Sequence, residues 1–195
     1  MTVPSEAIEH STTALLVIDV QMAFVHRDES GAARTTPMAE NNIRRLLERF
    51  RTAGGKTIHI HHHSHQEGSP FTAGLPGAVV QEFAAPAPGE AVYIKHVNSS
   101  FIGTSLEADL RRDGFEHLIL CGATANQCVE TTARMAGNLG FDTLFVADGV
   151  WAYGSTGPDG RKHGAEDILS IIISNLYGKF ATVLSTDEVF DLLNG

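Results

Sequence analysis

His117-Leu-Ile-Leu-Cys121-Gly122-Ala-Thr124-Ala-Asn-Gln-Cys128-Val-Glu130 opens as a strand and closes as a helix. Residues 117–121 form an apolar run without alternation, the pattern of a strand buried on both faces of a parallel sheet. Gly122 breaks the run. Thr124 and Gln127 then stand at the T-x-x-Q spacing of a capping box, and a helical pattern over 127–139 ends at Gly140, a C-cap residue.

The same unit recurs on both sides. Apolar runs over 14–19, 56–61, 91–95, 142–147 and 180–184 are five further strands. Helical spacing over 38–51, 104–112, 165–177 and 187–193 fills most of the intervals, with Thr104 placed as a cap three residues before Glu107. Strand–helix alternation of this kind implies an α/β fold, a three-layer αβα sandwich on a mainly parallel sheet. No internal repeat or linker divides residues 1–195, so one domain is expected, preceded by a polar segment over 1–13. Two irregular stretches, 62–89 and 151–163, follow apolar runs and should overhang the carboxyl edge of the sheet, where open α/β sheets bind ligands.

Composition mainly excludes. The 195 residues carry 14 Lys and Arg against 23 Asp and Glu, a formal charge of −9, which disfavours a nucleic-acid or anionic-membrane surface. No apolar run reaches the roughly 18 residues of a membrane span, and the N-terminal segment with Glu6 and Glu9 lacks the basic-then-apolar order of a signal peptide. A cytoplasmic location is expected. Two cysteines are too few for a disulfide scaffold. Dinucleotide, P-loop and serine-elbow motifs are absent, as are H-E-x-x-H and C-x-x-C. Side chains at strand ends remain as the source of chemistry.

Taken singly, each cysteine reads as apolar packing, and Cys121 inside its strand fits that reading. Cys128 differs because it falls in a first helical turn, where free N–H groups and a partial positive charge favour a thiolate and could hold an oxyanion. Two other strands end in charge, at Asp19 and Lys95. Lys95 would stabilise the thiolate, and Asp19 could take the thiol proton and pass it to a leaving nitrogen.

These residues carry a resemblance. Leu16-Val-Ile-Asp19-Val-Gln21 with Phe24, Gly68-Ser-Pro-Phe71, Lys95 with Ser100-Phe101, Gly103-Thr104-Ser-Leu106 and, above all, Gly122-Ala-Thr-Ala-Asn-Gln-Cys128-Val-Glu-Thr-Thr-Ala-Arg134 resemble the isochorismatase-like cysteine hydrolases. That superfamily includes nicotinamidases, N-carbamoylsarcosine amidases and ureidoacrylate amidohydrolases. The resemblance implies a six-stranded, Rossmann-like parallel sheet, homodimers or homotetramers, and a catalytic triad of Asp19, Lys95 and Cys128. It also implies a cis peptide between Ala123 and Thr124 and an oxyanion hole of the Thr124 and Cys128 N–H groups. The implied activity is hydrolysis of a C–N bond in a small amide, carbamoyl or ureido substrate through a thioester, without an organic cofactor. A vinyl-ether hydrolase and a non-catalytic binding protein on the same fold are the alternatives.

Five of the ten histidines lie within Ile58-His-Ile-His-His-His-Ser-His65. A metal is the tempting reading, since nicotinamidases use an Asp and several His. Here His61, His63 and His65 come without that Asp, so no metal site is expected. His62, His63 and His65 are instead candidates for the substrate pocket, with Phe24, Asn98, Phe101 and Trp151.

Overall fold

A computed structural model describes residues 7–194; of the polar segment, residues 1–6, Glu6 among them, lie outside the described residues. The strands of the main sheet are β1 (Thr13–Ile18), β2 (Lys56–His62), β3 (Ala91–Lys95), β4 (His117–Ala123), β5 (Asp142–Trp151) and β8 (Thr182–Leu184). A separate two-stranded hairpin is made by β6 (Ser155–Thr156) and β7 (Lys162–His163). The helices are α1 (Met22–Glu29), α2 (Ala39–Ala53), α3 (Leu106–Arg112), α4 (Glu130–Asn138), α5 (Ala165–Leu176) and α6 (Thr186–Asn194).

The main sheet has the order β3-β2-β1-β4-β5-β8, and every neighbouring pair is parallel. The expected six-stranded αβα sandwich is thus the observed fold. The reason is visible in β1, where Ala14, Leu16 and Ile18 join one apolar core and Leu15 and Val17 the other. Helices α3, α4 and α5 cover the first face through Leu106, Leu110, Ala133, Ala136 and Ile172. Helices α1, α2 and α6 cover the second through Phe24, Ile43, Leu47, Phe50 and Val189. None of the described helices is long and apolar enough to cross a membrane.

Strand order reverses between β1 and β4, so the connections leave their paired carboxyl ends in opposite directions and a crevice lies beyond them. Gly122 sets how tightly they approach. It has φ +117, and a Cβ there would lie 2.0 Å from the Ile18 carbonyl oxygen, so no side chain fits. The β4–β5 register also shifts between Leu120 and Gly122.

Several local expectations change. Helix α1 is an element that the apolar spacing does not suggest. Helix α3 starts at Leu106, not at Thr104; the Thr104 hydroxyl donates to the Ser100 carbonyl and accepts the Leu106 N–H. The Thr124–Gln127 capping box does not form through side chains. A π-helical turn, Ala125–Val129, precedes α4, and the Thr124 carbonyl accepts the Gln127 and Val129 N–H groups. Strand β5 runs on to Trp151, so the second irregular stretch begins inside the sheet.

Candidate active site

The carboxyl ends of four adjacent strands each deliver one or more polar groups to the crevice. Asp19 follows β1, His62 ends β2, Lys95 ends β3, and Thr124 and Cys128 follow β4. Asp19 has φ 51, a left-handed conformation uncommon for a residue with a side chain and concentrated at functional sites. Its N–H donates to the Ile60 carbonyl and its own carbonyl accepts the Gln21 N–H, both at 2.8 Å. The Ala123–Thr124 peptide is cis, as the resemblance implies.

Lys95 lies at the centre and is 0% exposed. Its Nζ donates to Asp19 Oδ2 at 2.6 Å and to Cys128 Sγ at 3.3 Å, and lies 3.4 Å from His62 Nδ1. The three residues expected as a triad are therefore in mutual reach. Burial raises the Asp19 pKa, against the pull of the Lys95 charge. Burial pushes the His62 imidazole down to about 4, with the Lys95 charge acting in the same sense.

Opposing influences act on the Cys128 thiol. Burial first, then the Asp19 charge, push the Cys128 thiol up to about 12, outweighing Lys95. The balance favours the protonated sulfur. The thiol of Cys121, as expected, is packing: it is fully buried in the second core and faces the Leu16 carbonyl at 3.6 Å.

A cavity of about 280 Å³ opens onto Cys128. Phe24, His62 and Asn98 line it, as expected, with Asp19, Thr124 and Cys128 at its base. Asn98 Oδ1 lies 4.0 Å from Cys128 Sγ. Four of the seven expected pocket residues do not line it. Trp151 is fully buried because β5 carries it beneath Phe24, whose ring it meets edge-on at 5.7 Å. Phe101 stacks on Phe141 in the first core, since Ser100 anchors its segment to Thr132 on α4. His63 and His65 line a neighbouring groove with His96. The chain alternates after His62, and the His63 N–H is taken by the Lys95 carbonyl. The His65 and His96 rings stack at 4.0 Å. The histidine run therefore fans out, with His59 on Glu90, His62 on Lys95 and His65 on His96.

The sequence reading missed other contributors. Ser64, Gln66, Ser69, Pro70 and Phe71 from the long loop line the cavity, as do Arg27 and Gln127. The long loop after β2 thus overhangs the site as expected, whereas no residue of 151–163 lines the cavity. Gln21 is fully buried and binds the strand ends together. Its side chain donates to the His62 and Ala78 carbonyls and accepts the His62 N–H at 2.8 Å. The D-V-Q spacing after an apolar run was the available signal.

Comparison with known proteins adds to this geometry. The profile of the isochorismatase domain matches residues 13–188. The chain is 38% identical to the isochorismatase-family protein YrdC of Bacillus subtilis, over 91% of this chain and 94% of that one. It is 27% identical to the ureidoacrylate amidohydrolase RutB of Variovorax paradoxus, over 76% and 72%. A crystal structure assigned to the isochorismatase family, from Chromobacterium violaceum, superposes with a TM-score of 0.91 at 36% identity, covering 100% of this chain and 99% of the other.

Proposed function

The chain belongs to the isochorismatase family of hydrolases, and from that premise we propose that it is an amidase-type cysteine hydrolase acting on a small amide, carbamoyl or ureido compound. The observation that carries this reading is the buried bridge of Lys95 Nζ between Asp19 Oδ2 and Cys128 Sγ, directly beneath the cavity. The similarity to an amidohydrolase supports the bond type.

In the proposed reaction Cys128 Sγ attacks the substrate carbonyl carbon while its proton passes to Asp19. Because burial and the Asp19 charge push the thiol pKa up, transfer accompanies attack, and the raised Asp19 pKa suits a carboxylate that must receive and hold a proton. Lys95 keeps its charge and balances the carboxylate before transfer. The tetrahedral oxyanion rests on the Thr124 and Cys128 N–H groups. The π turn supports this assignment, since Val129 N–H takes the Thr124 carbonyl that an α turn would pair with Cys128 N–H. Asp19 returns the proton to the departing nitrogen, the C–N bond breaks and a thioester remains. Water, deprotonated by Asp19, cleaves the thioester to acid and free thiol.

The test is ammonia release across a panel of small amides and ureas, with the acyl-enzyme trapped by acid quench and weighed by mass spectrometry. Cys128→Ala should abolish release and the mass adduct, while Cys121→Ala should retain turnover. Equal loss in two folded variants, or turnover without an adduct on Cys128, refutes the reading.

A further inference from the structure

The charges around the cavity do not cancel. Asp19 and Lys95 neutralise each other, and the Cys128 thiol and the His62 imidazole are neutral near pH 7. One further ionic side chain lines the cavity, Arg27 on α1. Among the described residues no carboxylate pairs with it. The adjacent Asp28 is taken by Arg34 at 3.1 Å and by the Tyr153 hydroxyl at 2.6 Å. Glu67 belongs to the neighbouring groove. A chain with a net charge of −9 thus presents, beside this cavity, one solvent-exposed arginine with no carboxylate partner among the described residues.

Arg27 is also held in place. Its guanidinium lies over the Tyr153 ring at 3.9 Å, and Tyr153 is itself buried and fixed through its hydroxyl to Asp28. A stacked guanidinium keeps its N–H fork free for a planar anion and loses little freedom on binding. His62 points the same way. Charged Lys95 can only donate, so His62 Nδ1 must accept and the ring proton sits on Nε2. Nε2 has no hydrogen-bond partner among the described residues, so the imidazole offers a donor. Phe24, Pro70 and Phe71 supply the apolar walls of the same cavity.

Building on the amidase reading, we propose that Arg27 is a specificity-determining residue that binds an anionic group of the substrate, so that the substrates are small amides or ureas carrying a carboxylate.

Matched pairs test this: N-carbamoyl amino acids and half-amides of dicarboxylic acids against their N-methylamides, which have similar length and no charge. Loss of a charge-assisted hydrogen bond predicts a kcat/KM preference for the acid of about ten- to a hundredfold. In Arg27→Gln the acid-to-neutral ratio should fall to about one, and Arg27→Lys should recover part of it. Equal rates for both members of a pair in the unaltered protein, or an equal loss for both in Arg27→Gln, overturns the proposal and leaves the amidase reading standing. If no compound of either series releases ammonia, the amidase reading fails by itself. Calorimetric titration of Cys128→Ser with the same acids then decides the anion site. Binding that is lost with Arg27→Gln supports it, and no binding of any acid overturns it.

Discussion

In the proposed reaction one proton passes between Cys128 and Asp19, and beyond their burial each group bears on the other's ionisation. Burial first and then the Asp19 charge push the Cys128 thiol up to about 12, and Lys95 opposes them. Asp19→Asn removes the negative charge and leaves Lys95 beside the sulfur. The thiol pKa should then fall, visible as thiolate absorbance at 240 nm appearing at lower pH, and iodoacetamide should alkylate Cys128 faster at pH 7. Turnover should nevertheless drop by about 10²–10⁴-fold, because proton delivery to the leaving nitrogen is lost. A variant that is both less alkylated and less active would show that Asp19 acts on the sulfur only by activating it.

At the scale of elements, the site depends on how closely β1, β2 and β4 meet. Gly122→Ala would drive a methyl group into the Ile18 carbonyl, with an expected destabilisation of about 3 kcal/mol or more, read by urea unfolding. Gln21→Ala leaves the His62 N–H and two carbonyls without their partner and should cost about 2–3 kcal/mol, with loss of activity even where the protein stays folded. The strands were legible because runs such as 14–18 and 117–121 are apolar at successive positions, which only a doubly covered sheet requires. Helix α1 was not, because only Ala23 and Phe24 of its residues are buried, too few to set a period. The Asp19, Lys95 and Cys128 cluster was legible from charge and sulfur at strand ends. The pocket walls were not: Phe101 and Trp151 sit near those same ends, yet Ser100–Thr132 and the length of β5 turn them into the cores. Arg27 gave no signal without α1 to place it.

For the molecule as a whole, acid should loosen the β2 side first. Burial lowers the His61 and His62 pKa values to about 4, so folding favours their neutral forms. Their contribution is complete above the unfolded value of 6.5 and is lost as pH falls towards 4. Glu90 extends the effect. It joins Arg51 of α2, His59 of β2 and the Ala87 N–H, and the Arg51 hydrogen bonds hold its carboxyl down at about 2. Its contribution is present above 4.5 and is lost as pH falls towards 2. Thermal midpoints should therefore decline from pH 7 downwards in two stages. His61→Val should flatten the stage between 6.5 and 4, and Glu90→Gln the stage below 4.5. A midpoint flat from pH 7 to 4 in the unaltered protein would contradict this.

The protonated state of Cys128 also bears on chemistry other than hydrolysis. Peroxide and most electrophiles attack thiolates, and a thiol with a pKa near 12 offers almost none at neutral pH. On the proposed reading, burial and the Asp19 charge that hold the proton on Cys128 should also slow its oxidation, so peroxide should modify Cys128 faster in Asp19→Asn than in the unaltered protein.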